Sequence, residues 1–124
     1  MGAVFAVFIG GGLGAVSRFL IGKLTITFYG GIFPLGTLFA NLTSCILLAI
    51  ILFIFNDSKL LTDQSKLFLV VGFCGGLSTF STFSFETFEL IKSGNLFWAI
   101  FNILISIALC LLVVFLISRK ENFI

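Results

Sequence analysis

Gly72-Phe73-Cys74-Gly75-Gly76-Leu77-Ser78-Thr79-Phe80-Ser81-Thr82-Phe83-Ser84 places glycines and hydroxyls inside a stretch otherwise apolar enough to enter a bilayer. Polar groups at that depth cost free energy unless something binds them. Gly75-Gly76 weakens a helix by about 1 kcal/mol per glycine relative to alanine. A break near the middle of this helix is therefore expected. Its freed carbonyls and N–H groups are tolerated only where they line a cavity, meet a neighbouring chain or coordinate an ion. The alternative is a continuous helix whose hydroxyls bond back to carbonyls one turn earlier.

Around this run, 60% of the 124 residues are apolar and 10% are charged, too few to cover a water-soluble globule of this size. The composition is that of an integral membrane protein. Phe33 to Phe55, Leu67 to Phe85 and Leu96 to Ile117 carry no charge, and each is long enough as a helix to cross about 30 Å of hydrocarbon. Met1 to Phe28 makes a fourth span, interrupted only by Arg18 and Lys23. The expected fold is all-α, one transmembrane domain over 1–124, with spans at about 3–28, 33–55, 67–90 and 96–117. The first span reads as retained, because no basic residue precedes its apolar stretch.

The turns Tyr29 to Ile32 and Lys92 to Asn95 are short, so neighbouring helices should run antiparallel. Asn56 to Ser65 is a polar loop, and Pro34 sits where a helix start tolerates its missing N–H. Four spans put both termini and that loop on one side, with Lys59, Lys66, Arg119 and Lys120; the other side has Lys23, Lys92 and, at most, Arg18. So small a Lys/Arg bias leaves insertion in both orientations open, and with it antiparallel pairing of two identical chains. Gly10 and Gly14, Gly36, Ala40 and Ser44, and Gly72 and Gly76 recur every four residues, the spacing that lets helix backbones approach closely in lipid. Gly10-Gly11-Gly12-Leu13-Gly14 lacks the preceding strand of a nucleotide-binding loop, and no nucleic-acid partner is expected. Histidine is absent and Cys45, Cys74 and Cys110 lie in three different spans, so they read as small packing residues.

Several polar residues lie at depth. Phe80 and Phe83 share a helix face and are flanked by Thr79, Ser81, Thr82 and Ser84. A phenyl edge carries partial positive charge, and hydroxyls donate hydrogen bonds, so rings and hydroxyls together can replace part of a small anion's water shell. Asn41 brings an amide into an uncharged span; its plain role is an interhelical hydrogen bond. Asn102, Ser106 and Cys110 form a stripe at i, i+4 and i+8, read as a pore lining in preference to helix glue. Arg18 either snorkels to the headgroups or sets a positive potential that attracts anions to a vestibule.

Residues 72 to 86, Gly-Phe-Cys-Gly-Gly-Leu-Ser-Thr-Phe-Ser-Thr-Phe-Ser-Phe-Glu, resemble the signature of the Fluc (CrcB) fluoride channels. The likeness extends to Arg18 after the glycines of the first span, to Pro34-Leu35-Gly36-Thr37 leading to Asn41, and to a serine-bearing fourth span. It implies a multi-pass protein of the cell (inner or plasma) membrane, a dual-topology antiparallel homodimer with two fluoride pores, and a structural Na+ at the dimer centre. By motif position the Na+ would be held by backbone carbonyls of Gly75 and Ser78 from both subunits. Phe80, Phe83, Asn41 and Ser106 match pore positions and Arg18 the vestibule arginine, while Glu86 matches the acidic residue closing the motif. Ser78 stands where threonine is common, Asn102 where a tyrosine often begins the polar track, Cys110 where a hydroxyl is usual, and Ser44 where glycine is usual.

Rival classes meet specific obstacles. A dual-topology exporter of cationic drugs needs a buried carboxylate early in the chain, and the first two spans contain none. A cation channel would use the carbonyls of residues 75 to 78. A serine enzyme would need a base, yet there is no histidine, and no lysine lies between Leu67 and Phe85. A purely structural scaffold would pass no ions.

Overall fold

The computed structural model describes residues 1–55 and 59–121, and all of their regular structure is helical. Its elements are α1 (Gly2–Phe28), α2 (Leu35–Ala49), α3 (Asp63–Lys66), α4 (Gly75–Leu77), α5 (Phe80–Lys92) and α6 (Leu96–Glu121). Two π-helical stretches, with wider turns, extend them: Ile50–Ile54 prolongs α2, and Leu67–Cys74 joins α3 to α4. Four helices are thus long and apolar enough to cross a membrane, at Gly2–Phe28, Leu35–Ile54, Asp63–Lys92 and Leu96–Lys120. They lie near the positions read from the sequence, the second shorter and the third longer at both ends, and the fourth running on to Lys120. The loop expected from Asn56 already turns helical at Asp63, where the Thr62 side chain accepts the Ser65 N–H at 3.1 Å; residues 56–58 lie outside the described residues.

The third span is broken, but not at its glycines. Gly75 and Gly76 are helical, and the chain opens at Ser78 (φ −77°, ψ 155°) and Thr79 (φ −152°, ψ 119°). Glycine's low helix propensity is outweighed here by packing. A Cβ on Gly76 would overlap the Gly11 carbonyl oxygen, and one on Gly14 the carbonyl oxygen of Phe73. A Cβ on Gly10 would overlap the Phe68 carbonyl oxygen, and one on Gly72 would come within 2.9 Å of the Gly10 Cα. The small-residue spacing therefore serves the contact between α1 and the first arm of the third span, its most extensive helix pairing.

Past the break, α5 packs on α6, which also lies along α2. The α5–α6 turn is a Schellman cap. The Asn95 N–H donates to the Leu90 carbonyl at 2.8 Å and the Gly94 N–H to that of Ile91 at 3.0 Å, with Gly94 at φ 81°. The two arms of the third span thus contact different neighbours, with α2 between them, and the open turn at Ser78-Thr79 faces α2.

Candidate functional site

Asn41 closes the open turn. Its side-chain oxygen accepts the Thr79 N–H at 2.7 Å and its Nδ2 donates to the Thr79 carbonyl at 3.3 Å. One amide thus replaces the two partners a continuous helix would have given this residue. Three positions on, the Ser44 hydroxyl donates to the Cys74 carbonyl at 2.8 Å, which also receives the Ser78 N–H and the Ser78 hydroxyl at 3.0 Å each. Asn41 and Ser44 lie one turn apart on one face of α2 and grip both sides of the break.

Arg18 reaches the same break from α1. Its Nε donates to the Gly76 carbonyl at 3.2 Å, so the half-buried guanidinium ties α1 to the end of the first arm. On the far side, Thr79 caps α5. Its hydroxyl accepts the Thr82 N–H at 3.2 Å and lies 3.1 Å from the Thr82 hydroxyl and 3.2 Å from that of Ser81. Among the described residues, no hydrogen bond is directed at the carbonyl of Gly75 or of Ser78. A Cβ on Gly75 would meet nothing within 4 Å.

Beside the open turn lies a cavity of about 280 Å³ lined by Asn41, Cys45, Ser78, Thr79, Phe80, Phe83, Ser106, Ile107 and Cys110. Most of the candidates read from the sequence converge here. The Phe80 and Phe83 ring centroids are 5.9 Å apart at 37°, and Phe80 is 80% exposed on the outer surface of the chain. Gly75, Asn102, Ser81, Thr82 and Arg18 do not line this cavity.

Asn102 lies just behind it, 1% exposed. The Ser106 hydroxyl donates to Asn102 Oδ1 at 3.3 Å, Asn102 Nδ2 to the Thr87 hydroxyl at 2.9 Å, and Thr87 to the Phe83 carbonyl at 2.7 Å. This hydrogen-bonded chain joins α6 to α5 behind the cavity wall, from Ser106 to the backbone of Phe83. A larger cavity of about 580 Å³ opens at one end of the helices, lined among others by Thr25, Tyr29, Thr37, Glu86, Glu89 and Asn95. The carboxyl of Glu86 lies beside Thr37, and its Oε2 is buried with no hydrogen-bond partner among the described residues.

Sequence reasoning missed Ser44, Thr87, Thr37 and Cys45 as parts of this arrangement. Ser44 carried a usable signal, one helical turn beyond Asn41; Thr87 carried one too, four residues after Phe83 and opposite the Asn102–Ser106 stripe. Thr37 carried one as well, one turn before Asn41 and within the Pro34-Leu35-Gly36-Thr37 motif; for Cys45 nothing in the local pattern set it apart.

Four apolar spans, one opened near its middle and closed by side chains from two others beside a cavity, define a multi-pass membrane protein with a helix broken inside the bundle. The chain belongs to the family described as "CrcB-like protein, Camphor Resistance (CrcB)", whose pattern it matches over residues 5–117. Similar proteins named fluoride-specific ion channel FluC include one from Clostridium perfringens, 43% identical over 112 residues, covering 90% of this chain and 87% of that protein. One from Coxiella burnetii is 43% identical over 110 residues, 87% of this chain and 88% of its own. One from Shewanella pealeana is 40% identical over 116 residues, 94% and 93%.

Proposed function

We propose that this protein is a fluoride channel of the cell membrane, carrying fluoride passively out of the cytoplasm. The observation that carries the reading is the convergence of Asn41, Ser106, Phe80 and Phe83 on one cavity against an opened backbone, in a chain whose relatives bear the name of fluoride channels. Among its lining residues there is no carboxylate to attract a cation and no lysine to trap an anion. One N–H of the Asn41 amide is used on Thr79; the second is a donor for the ion. The Ser106 hydroxyl has a single proton, so it donates either to Asn102 or, after rotation, to fluoride. Phe80 and Phe83 offer ring edges, which favour an anion without holding it as a fixed charge would.

Direction comes from the membrane. Hydrogen fluoride is a weak acid that enters uncharged from an acidic medium and ionises inside. A potential negative inside drives the anion outward by about 2.3 kcal/mol per charge per 100 mV, so no pump and no enzymatic step are required.

The working unit is an antiparallel homodimer of chains inserted in both orientations, a reading supported by the weak charge bias of the loops. The unengaged carbonyls of Gly75 and Ser78, with no side chain over Gly75, suit a hard cation shared by two copies. Na+ would be held there by these carbonyls, fixing the two subunits at their contact. Thr79, Ser81 and Thr82 stiffen the turn that carries Phe80, and Arg18 fixes its other end while adding positive charge near the route of an anion.

Fluoride-sensitive bacteria producing the chain should grow in fluoride, and should lose that growth with Phe80→Ile at equal protein level. Growth that survives both Phe80→Ile and Asn41→Asp would point to a scaffold. A reporter fused to the C-terminus should be found on both faces of the membrane; one face only would exclude dual topology.

A further inference from the structure

Cys45 on α2 and Cys110 on α6 both line the 280 Å³ cavity beside Ser106 and Asn41, on two helices that pack together, and the two thiols are neighbours. Neither is in a disulfide, and both are half-buried, unlike Cys74, which is 3% exposed and lies outside the cavity. Packing alone accounts for Cys74. Cys45 and Cys110 instead come from different helices and share the wall of one cavity with Asn41, Ser78, Thr79 and Ser106.

We propose that Cys45 and Cys110 form a two-coordinate site for a soft, thiophilic cation, and that a cation bound there obstructs the cavity. The obstruction rests on the pore reading given above; the metal site does not. Soft thiolate ligands select soft metals, whereas fluoride and Na+ are hard ions with no affinity for sulfur, so the site is orthogonal to the ions of transport. Two sulfurs from facing helices suit a metal that accepts two ligands. With Hg2+, two S–H bonds break, two Hg–S bonds form and two protons leave to water. The product is neutral, which matters at a depth where a net charge is costly. The metal would then occupy the space beside Ser106 and Asn41 that the anion needs.

Hg2+ is the probe, added at one equivalent per chain to the reduced full-length protein, with ultraviolet mercury–thiolate absorption and fluoride efflux from vesicles read in parallel. The unsubstituted chain and Cys74→Ala should each show the two-thiolate absorption saturating at one Hg2+ per chain, with efflux falling at least about tenfold. Cys45→Ser and Cys110→Ser should each lose that absorption, and each should keep most of its own metal-free efflux. Two-thiolate absorption that persists in either serine variant overturns the site. Efflux that continues with the site saturated overturns the obstruction. A chain that passes no fluoride even without mercury marks failure of the pore reading instead, and the absorption titration then decides the metal site alone.

Discussion

Replacing Asn41 with alanine removes both hydrogen bonds that α2 makes to the open turn of the third span, 2.7 Å to the Thr79 N–H and 3.3 Å to its carbonyl. Thr79 is 9% exposed, so water does not readily replace them. Leaving a buried backbone group unsatisfied costs about 1–3 kcal/mol, whereas side-chain bonds between membrane helices average about 0.6 kcal/mol when cut, because the altered chain finds other partners. Two such bonds therefore bracket a loss of about 1–6 kcal/mol. Toward the lower end of that range, where the average for membrane helices lies, a loss of about 2 kcal/mol makes opening of the turn roughly 30-fold easier, since each 1.4 kcal/mol is about tenfold.

Ser44→Ala supplies the internal comparison. It also removes a bond to the break, but the Cys74 carbonyl keeps the Ser78 N–H and hydroxyl, so the carbonyl's two lone pairs remain engaged and the cost should stay under about 0.5 kcal/mol. Amide hydrogen exchange at Thr79, followed by mass spectrometry or NMR in detergent, reads the difference locally. Asn41→Ala should accelerate it roughly 30-fold and Ser44→Ala by less than about threefold. Unchanged Thr79 exchange in Asn41→Ala, or equal acceleration in the two variants, would refute the assignment of Asn41 as the group that holds the break.

The glycine contacts predict a contrast between neighbours: Gly76→Ala, whose Cβ would overlap the Gly11 carbonyl, should lower thermal stability in detergent by about 1–3 kcal/mol. Gly75→Ala meets open space within the chain, so it should leave the monomer fold intact and weaken pairing, read as a shift toward monomer in cross-linking or sizing. Asn102→Leu removes two side-chain bonds, the acceptor of the Ser106 hydroxyl and the donor to the Thr87 hydroxyl, which keeps its bond to the Phe83 carbonyl; a loss of about 1–3 kcal/mol in unfolding is expected, with slower fluoride flux. Phe80→Ile, at an 80% exposed position, should keep stability within about 0.5 kcal/mol while flux collapses; a comparable fall in stability would assign the ring to packing.

The four spans were legible because runs free of charge and about twenty residues long leave a chain little choice in a bilayer. That the third would open was legible too, from polar groups with no local explanation. Its position was not. Gly75 and Gly76 look like the weak point by propensity, yet Gly76 is held helical by a neighbour it alone can approach closely, and the opening falls at Ser78-Thr79. The reason is tertiary: Asn41, 38 residues away, presents an acceptor and a donor at the spacing of one residue's backbone. Arg18 shows the same limit. Snorkelling and a vestibule were both readable from its depth, but a bond to the Gly76 carbonyl was not. The stripe of Asn102 and Ser106 was readable from its spacing as a pore lining, but Asn102 lies outside the cavity and bonds to Thr87 on α5, which required knowing how the two helices face each other.

The most direct test is ion flux from purified protein in liposomes loaded with fluoride or with chloride, Na+ present, under a potassium diffusion potential. The account predicts rapid fluoride efflux that Phe80→Ile and Asn41→Asp abolish, with chloride retained. No fluoride efflux from folded protein, or equal efflux of chloride, would contradict it.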